Sequence, residues 1–257
     1  MSGDAATGHV GAPNETEVRR LVAAGVLHEP WTEAMGSRYR SRAEAVLTAC
    51  ASRWLEADIT AMLSLLDGDA QQAVVQVLCE AAGVPYRPGL FLVEGSDFRR
   101  YHPVAHADRR NIDLVVIDKD WAPIIAIEAK FNAACNGRTN YCSDAHAGWS
   151  NQLVCYLHGC THPALDIKNK VKFLWLSLDG EVGTELTHVR GAVTPRDAVR
   201  YPWNKKILEE ALERQTAAMP QWRTVSWAAL YDSLRSHVPE HAEALIGLLT
   251  PVQMKRV

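Results

Sequence analysis

Apolar residues recur at helical spacing through the first quarter of the chain. Val18, Leu21, Val22, Val26 and Leu27 form one stripe, and Ser41 to Leu55 is a second amphipathic run. These predict an N-terminal helical region over 15–66, with Trp31 and Trp54 packing it onto the rest, after a polar, Gly/Ala-rich start at 1–14 expected to be disordered. A third helix opens at Gly68-Asp69, with Asp69 as its N-cap and Val74, Val75, Leu78 and Cys79 as its apolar stripe; Gly83 and Pro85 close it. The period then changes. Leu90 to Val93 reads as a short strand, and the runs Asn111–Asp118 and Ile124–Lys130 flank the polar segment Lys119–Pro123 as the two arms of a β-hairpin do. Val171 to Leu178 is a further strand, ended by Asp179-Gly180. Helices are expected at Asp144–His158, Asn204–Met219, Ser226–His237 and Glu240–Leu249, with Thr224 and Ser226 as candidate caps. The fold class is α/β, with a core over 67–200 and a C-terminal helical region, 201–257, packed on it.

Three charged residues sit where buried strands avoid charge: Asp113, Glu128 and Lys130. Each costs several kcal/mol in such a place unless paired or bound to a metal. Glu128 and Lys130 are two apart on one strand and so share a face. A turn centred between Asp120 and Trp121 sets Asp113 opposite Glu128, at the roughly 5 Å of cross-strand neighbours. Two carboxylates that close repel unless a cation lies between them. Oxygen ligands favour Mg²⁺ or Mn²⁺, and a lysine beside them suits metal-assisted hydrolysis of a phosphodiester.

Asp113, fourteen intervening residues and then Glu128-Ala129-Lys130 at the end of an apolar strand resemble the motif of the PD-(D/E)XK nuclease superfamily, with Ile112 where the proline of that name would stand. The helix–strand–strand–strand order over Asp69 to Leu178 is similar to the superfamily core. The resemblance implies a mixed four- to five-stranded, restriction-endonuclease-like sheet flanked by helices, with added helices at both ends. It also implies Asp113, Glu128 and the Ala129 carbonyl as metal ligands, with Glu80 on the preceding helix as a further acidic candidate. Gln152 and Tyr156, four apart on one helix face, resemble the Gln-x-x-x-Tyr motif of RecB-like members. Gln152 could then bond a carboxylate or phosphate oxygen, and Tyr156 donate to a phosphate.

Composition changes this picture little. A net charge of −3 argues against a chain that coats nucleic acid, but not against a carboxylate site with a local basic rim. The rim candidates are Arg99, Arg100, Arg109 and Arg110 before the hairpin, and Lys168, Lys170 and Lys172 beyond it. Cys135, Cys142, Cys155 and Cys160, with His146, His158 and His162 interleaved, lack the close pairs of a structural zinc site; buried thiols are expected instead, without zinc or an iron–sulfur cluster. There is no apolar run of membrane length, no secretory pattern and no Walker segment, so any motor or specificity subunit would be a separate chain and the expected location is the cytoplasm. The expectation is a Mg²⁺-dependent deoxyribonuclease, with Mn²⁺ able to substitute, acting in restriction, phage defence or repair. DNA is its partner, and a homodimer is compatible with cutting both strands. The alternative is a nucleic-acid-binding module that keeps the nuclease fold without cutting.

Overall fold

The computed structural model describes residues 15–28, 60, 62–103, 112–130, 156–157, 162–178 and 217–250. Within these the chain is α/β, with a five-stranded mixed sheet flanked by helices. Helix α1 (Glu15–Ala23) is followed by α2 (Gly68–Ala82), β1 (Phe91–Glu94), α3 (Gly95–Tyr101), β2 (Leu114–Ile117), β3 (Pro123–Ala129), β4 (Lys172–Ser177), β5 (Trp222–Ser226), α4 (Trp227–His237) and α5 (Pro239–Leu249). The strands lie side by side in sequence order. β1, β2 and β3 pair antiparallel, whereas β3–β4 and β4–β5 pair parallel. Central strands covered on both faces need near-continuous apolar sequence, and Leu114–Ile117 and Phe173–Leu176 are buried throughout.

Alternation divides the strand side chains between two core layers. Leu92, Leu114, Val116, Ile125, Ile127, Leu174, Leu176 and Val225 face a layer filled by α1, α2, α4 and α5. Val115, Ile117, Ala126, Phe173, Trp175 and Trp222 face the other, with Phe98 of α3, Tyr156, Leu157 and Leu165. The described part of the N-terminal region belongs to the first layer through Leu21, Leu27, Leu63 and Leu66.

The hairpin pairs as its turn predicts, Leu114 with Ile127, Val115 with Ala126 and Val116 with Ile125. At the turn end the register slips, so that Pro123 opposes Ile117 and opens β3 instead of lying in the loop. The Asp118 carboxylate accepts from the backbone N–H groups of Asp120 and Ala122, and Trp121 takes a left-handed conformation.

Several boundaries differ from expectation. The cap of α2 is Asp67, not Asp69: its side chain accepts from Gly68 N at 2.7 Å, so the helix begins earlier. Trp222–Ser226, read in sequence as part of a helical region, forms β5, and the C-terminal region therefore supplies a strand to the sheet. Ser226 does cap α4, accepting from Ala229 N at 3.1 Å. Of the expected helix at Asp144–His158 only Tyr156 and Leu157 are described, and both are helical; nearly all of that at Asn204–Met219, the run Ser41–Leu55, and Trp31 and Trp54 lie outside the described residues.

Gly83 ends α2 at φ 64°, and a Cβ there would run into the guanidinium of Arg223 on β5. Left-handed backbone costs an L-residue about 1–2 kcal/mol. Gly83→Ala is therefore expected to lower stability by about that much, read as a lower urea midpoint with unchanged slope.

Candidate active site

Asp113, Glu128 and Lys130 come together at the open end of the hairpin. Register places Asp113 one step beyond the Leu114–Ile127 pair, beside Glu128. Its carboxylate accepts from Ala129 N at 2.9 Å, doing the work of a ladder carbonyl where β2 ends. The N–H and C=O of one strand residue point the same way, so the Ala129 carbonyl is directed toward the Asp113 side. Gly95 N, at the start of α3 directly after β1, donates to the Asp113 carbonyl at 2.9 Å and fixes that residue from the other side.

Glu128 is fully buried and Lys130 is 7% exposed. The Lys130 ammonium donates to Glu128 Oε1 at 2.5 Å and lies 6.0 Å from the centre of the Trp175 ring, on the face of the second core layer. Its backbone is held on both sides, by Lys130 N to Leu176 O at 2.8 Å and by the Trp227 indole N–H to Lys130 O at 3.3 Å. The lysine is therefore mounted at the end of the central strand β3, which pairs antiparallel with β2 and parallel with β4.

Burial pushes the Glu128 carboxyl up to about 8; the charge of Asp113 adds to this, and the charge and hydrogen bond of Lys130 oppose it. Were both carboxyls ionised, they would outweigh the single ammonium; burial relieves this by keeping a proton on Glu128, and an added cation would do so by offsetting the charge. In the folded protein Glu128 thus holds a proton between pH about 4.5 and about 8 that the unfolded chain would release. Stability without metal is accordingly expected to fall as pH rises through that window, by at most about 1.4 kcal/mol per unit. Urea denaturation in EDTA at pH 5.5 and pH 8 measures it, and Glu128→Gln should flatten the difference.

The donor set fits a hard divalent cation: two carboxylates and a backbone carbonyl, all oxygen. Among the described residues no three His, Cys, Asp or Glu side chains gather as one metal-holding group. Glu80, the further acidic candidate, is exposed on α2, and α2 packs its stripe of Val74, Val75, Leu78 and Cys79 against the first core layer, whereas Asp113, Glu128 and Lys130 follow the alternation of the second. Glu94, the last residue of β1, also lies at this end of the sheet and accepts from Ser96 Oγ at 2.8 Å; paired with Leu114, it follows the alternation of the first layer. Its position immediately before the Gly95–Asp113 bond was hidden in sequence, because it needs the β1–β2 pairing.

Tyr156 is 5% exposed and its ring lies 6.4 Å from that of Trp222, so it packs first as a core aromatic. Arg99 and Arg100 occupy the last turn of α3, with Arg100 exposed; Lys168, Lys170 and Lys172 are exposed near the start of β4. Gln152, Arg109, Arg110, the four clustered cysteines, His146 and His158 lie outside the described residues. His162 is buried, and its Nδ1 accepts from Ala164 N at 3.1 Å as the cap of a short 3-10 turn. Cys79, in the α2 stripe, is a buried free thiol whose pKa burial raises.

No family model, curated protein or solved structure matches the chain. No helix among the described residues is long and apolar enough to cross a membrane.

Proposed function

We propose that this chain is a Mg²⁺-dependent DNA nuclease with a restriction-endonuclease-like core of the PD-(D/E)XK type. The observation that carries this reading is the joining of Asp113, Glu128 and Lys130 on one sheet face, with a fully buried carboxylate whose pKa its carboxylate neighbour helps to raise. A fold does not retain such an arrangement cheaply, and its oxygen donors suit a hard cation.

Asp113, Glu128 and the Ala129 carbonyl would hold the ion. When bound, the cation supplies positive charge to the scissile phosphate and acidifies a water. Lys130, tethered to Glu128, presents its ammonium at the same place, where it would neutralise charge building on the phosphate as water adds to phosphorus and the P–O ester bond breaks. Asp113 orients the β3 end through Ala129 N and so sets the separation of the two carboxylates. Gln152 and Tyr156 remain the candidates for positioning the strand, with the Arg99–Arg100 turn as part of a basic rim. DNA as substrate, and a role in restriction, phage defence or repair in the cytoplasm, belong to the same proposal.

One observation favours a second reading, a DNA-binding module that does not cut. The 2.5 Å contact between Lys130 and Glu128 is itself a buried, charge-assisted hydrogen bond, and such a polar pair can serve fold specificity alone.

The two readings part in one assay. Supercoiled plasmid is incubated with the full-length protein in Mg²⁺, Mn²⁺ or EDTA, beside Lys130→Ala and Asp113→Asn. Metal-dependent cutting lost in both variants is expected, and cutting that survives in both removes this site from the chemistry. DNA binding without cutting, under conditions in which Mg²⁺ raises the melting temperature, selects the non-catalytic reading.

A further inference from the structure

The same sheet face carries a second feature at the opposite end of the hairpin. Phe91 and Tyr101 are the large hydrophobic side chains left exposed among the described residues, at 43% and 47%. Tyr101 ends α3, and its ring centre lies 5.7 Å from that of Trp121, tilted by 53°. Trp121 is held in the β2–β3 turn with a left-handed backbone and packs at the margin of the second core layer, on the face that bears Asp113, Glu128 and Lys130. The Arg100 guanidinium stands 5.3 Å from the centre of the Tyr101 ring. Beside Phe91 and Trp121 opens a cleft of about 260 Å³, lined also by Ile117, Asp118 and Lys119 and, on its other side, by His28, Ser64 and Gln71. That volume is enough for a planar base.

Exposed rings cost solvation unless something covers them. These rings stand in a particular setting: a cation over one face, a lysine at the rim and a slot beside them. The Asp118 carboxylate does not dominate the slot, because it accepts two turn N–H groups and lies 3.5 Å from Arg87. Rings with interleaved cations hold the bases and phosphates of unpaired strands, since every base offers a π-face. A paired duplex hides those faces. Along β2 the platform lies four residues from Asp113, or about 14 Å at strand rise. That is a few nucleotides along a single strand.

We propose that Phe91, Tyr101, Trp121 and Arg100 form a stacking platform for an unpaired base, so that the site acts on single-stranded or flapped DNA in preference to closed duplex. The proposal rests on the nuclease reading for the site and adds its substrate class. The platform would fix the strand beyond the cut, with Arg100 on a phosphate and a base laid on Tyr101 or slotted beside Phe91 and Trp121.

Fluorescein-labelled oligo(dT) and a blunt hairpin duplex, each titrated with the full-length protein in EDTA and followed by anisotropy, test this without cleavage. Oligo(dT) is expected to bind more tightly than the duplex. Phe91→Ala and Tyr101→Ala should each weaken oligo(dT) binding by about 5- to 100-fold, leaving duplex binding and the circular dichroism spectrum unchanged. Tyr101→Phe should stay within about twofold of the parent, because it keeps the ring. Unchanged oligo(dT) affinity in both alanine variants overturns the proposal. So do an equal loss on duplex, no binding of oligo(dT) by the parent, and a DNA-free dimer that Tyr101→Ala dissolves, which would make the patch a protein interface. The two readings fail separately: ring-dependent oligo(dT) binding by a protein that never cuts keeps the platform and removes the hydrolysis, and metal-dependent cutting with ring-independent binding does the reverse.

Discussion

Glu128→Gln is expected to lower Mg²⁺-dependent DNA cutting by about 10³-fold or more while leaving the fold intact. The substitution keeps shape and removes charge. Metal-held charge stabilisation is worth several kcal/mol in a dry site, and loss of one of two carboxylates removes much of it. Stability should change little near pH 7, because the carboxyl, pushed up to about 8, is mostly protonated there in the absence of metal. A neutral amide then replaces a largely neutral acid, and its oxygen can still accept from Lys130, which donates at 2.5 Å in the parent. Activity and stability should thus separate, which a merely structural polar pair would not produce. Asp113→Asn should behave alike, since the amide oxygen can still accept from Ala129 N. Single-turnover cutting beside urea denaturation reads both. Cutting within about tenfold of the parent in a correctly folded Glu128→Gln protein would remove Glu128 from the metal.

The hairpin was legible because its information is local. Two β-branched arms and a polar turn define a register, and that register sets Asp113 beside Glu128 as the spacing predicted. Only the slip at Ile117 escaped, since a bulge near a turn leaves no residue-type signature. The side of the sheet on which Glu80 lies was not legible, for a different reason. The stripe Val74–Cys79 tells which side of α2 is buried, but not which face of the sheet it covers; that depends on how the chain crosses between strands. β5 was missed because Trp-Arg-Thr-Val-Ser lacks a clean alternation. Trp222 serves one core layer and Val225 the other, and its partner β4 lies far away in sequence. The stacking platform was equally hidden. Phe91, Tyr101 and Trp121 sit on three separate elements, and each alone reads as ordinary core.

Trp227→Ala is expected to cost about 3–5 kcal/mol, a large share of the roughly 5–15 kcal/mol that holds a domain together. Trp227 opens α4 directly after β5, is 1% exposed, and reaches back to donate to the Lys130 carbonyl at 3.3 Å. The same helix is fastened to α2 through Ser233 Oγ, which donates to Ala73 O at 3.0 Å in the buried interface. The C-terminal strand and helices are thus part of the wall behind the site, not an appendage to it. Removing the indole leaves a cavity in the first core layer and releases the end of β3 that carries Lys130. Melting should drop by on the order of 10 °C for a chain of this size, and cutting should fall with it. Trp227→Phe keeps one buried aromatic ring but loses the N–H together with part of the indole's bulk, so it should cost less than alanine while still removing the hydrogen bond to the Lys130 carbonyl. If Trp227→Ala unfolds within about 1 kcal/mol of the parent, the C-terminal region is not structurally coupled to the β3 end. If Trp227→Phe instead loses cutting as completely as Glu128→Gln while melting normally, the hold on the Lys130 carbonyl matters for positioning the lysine and not only for stability.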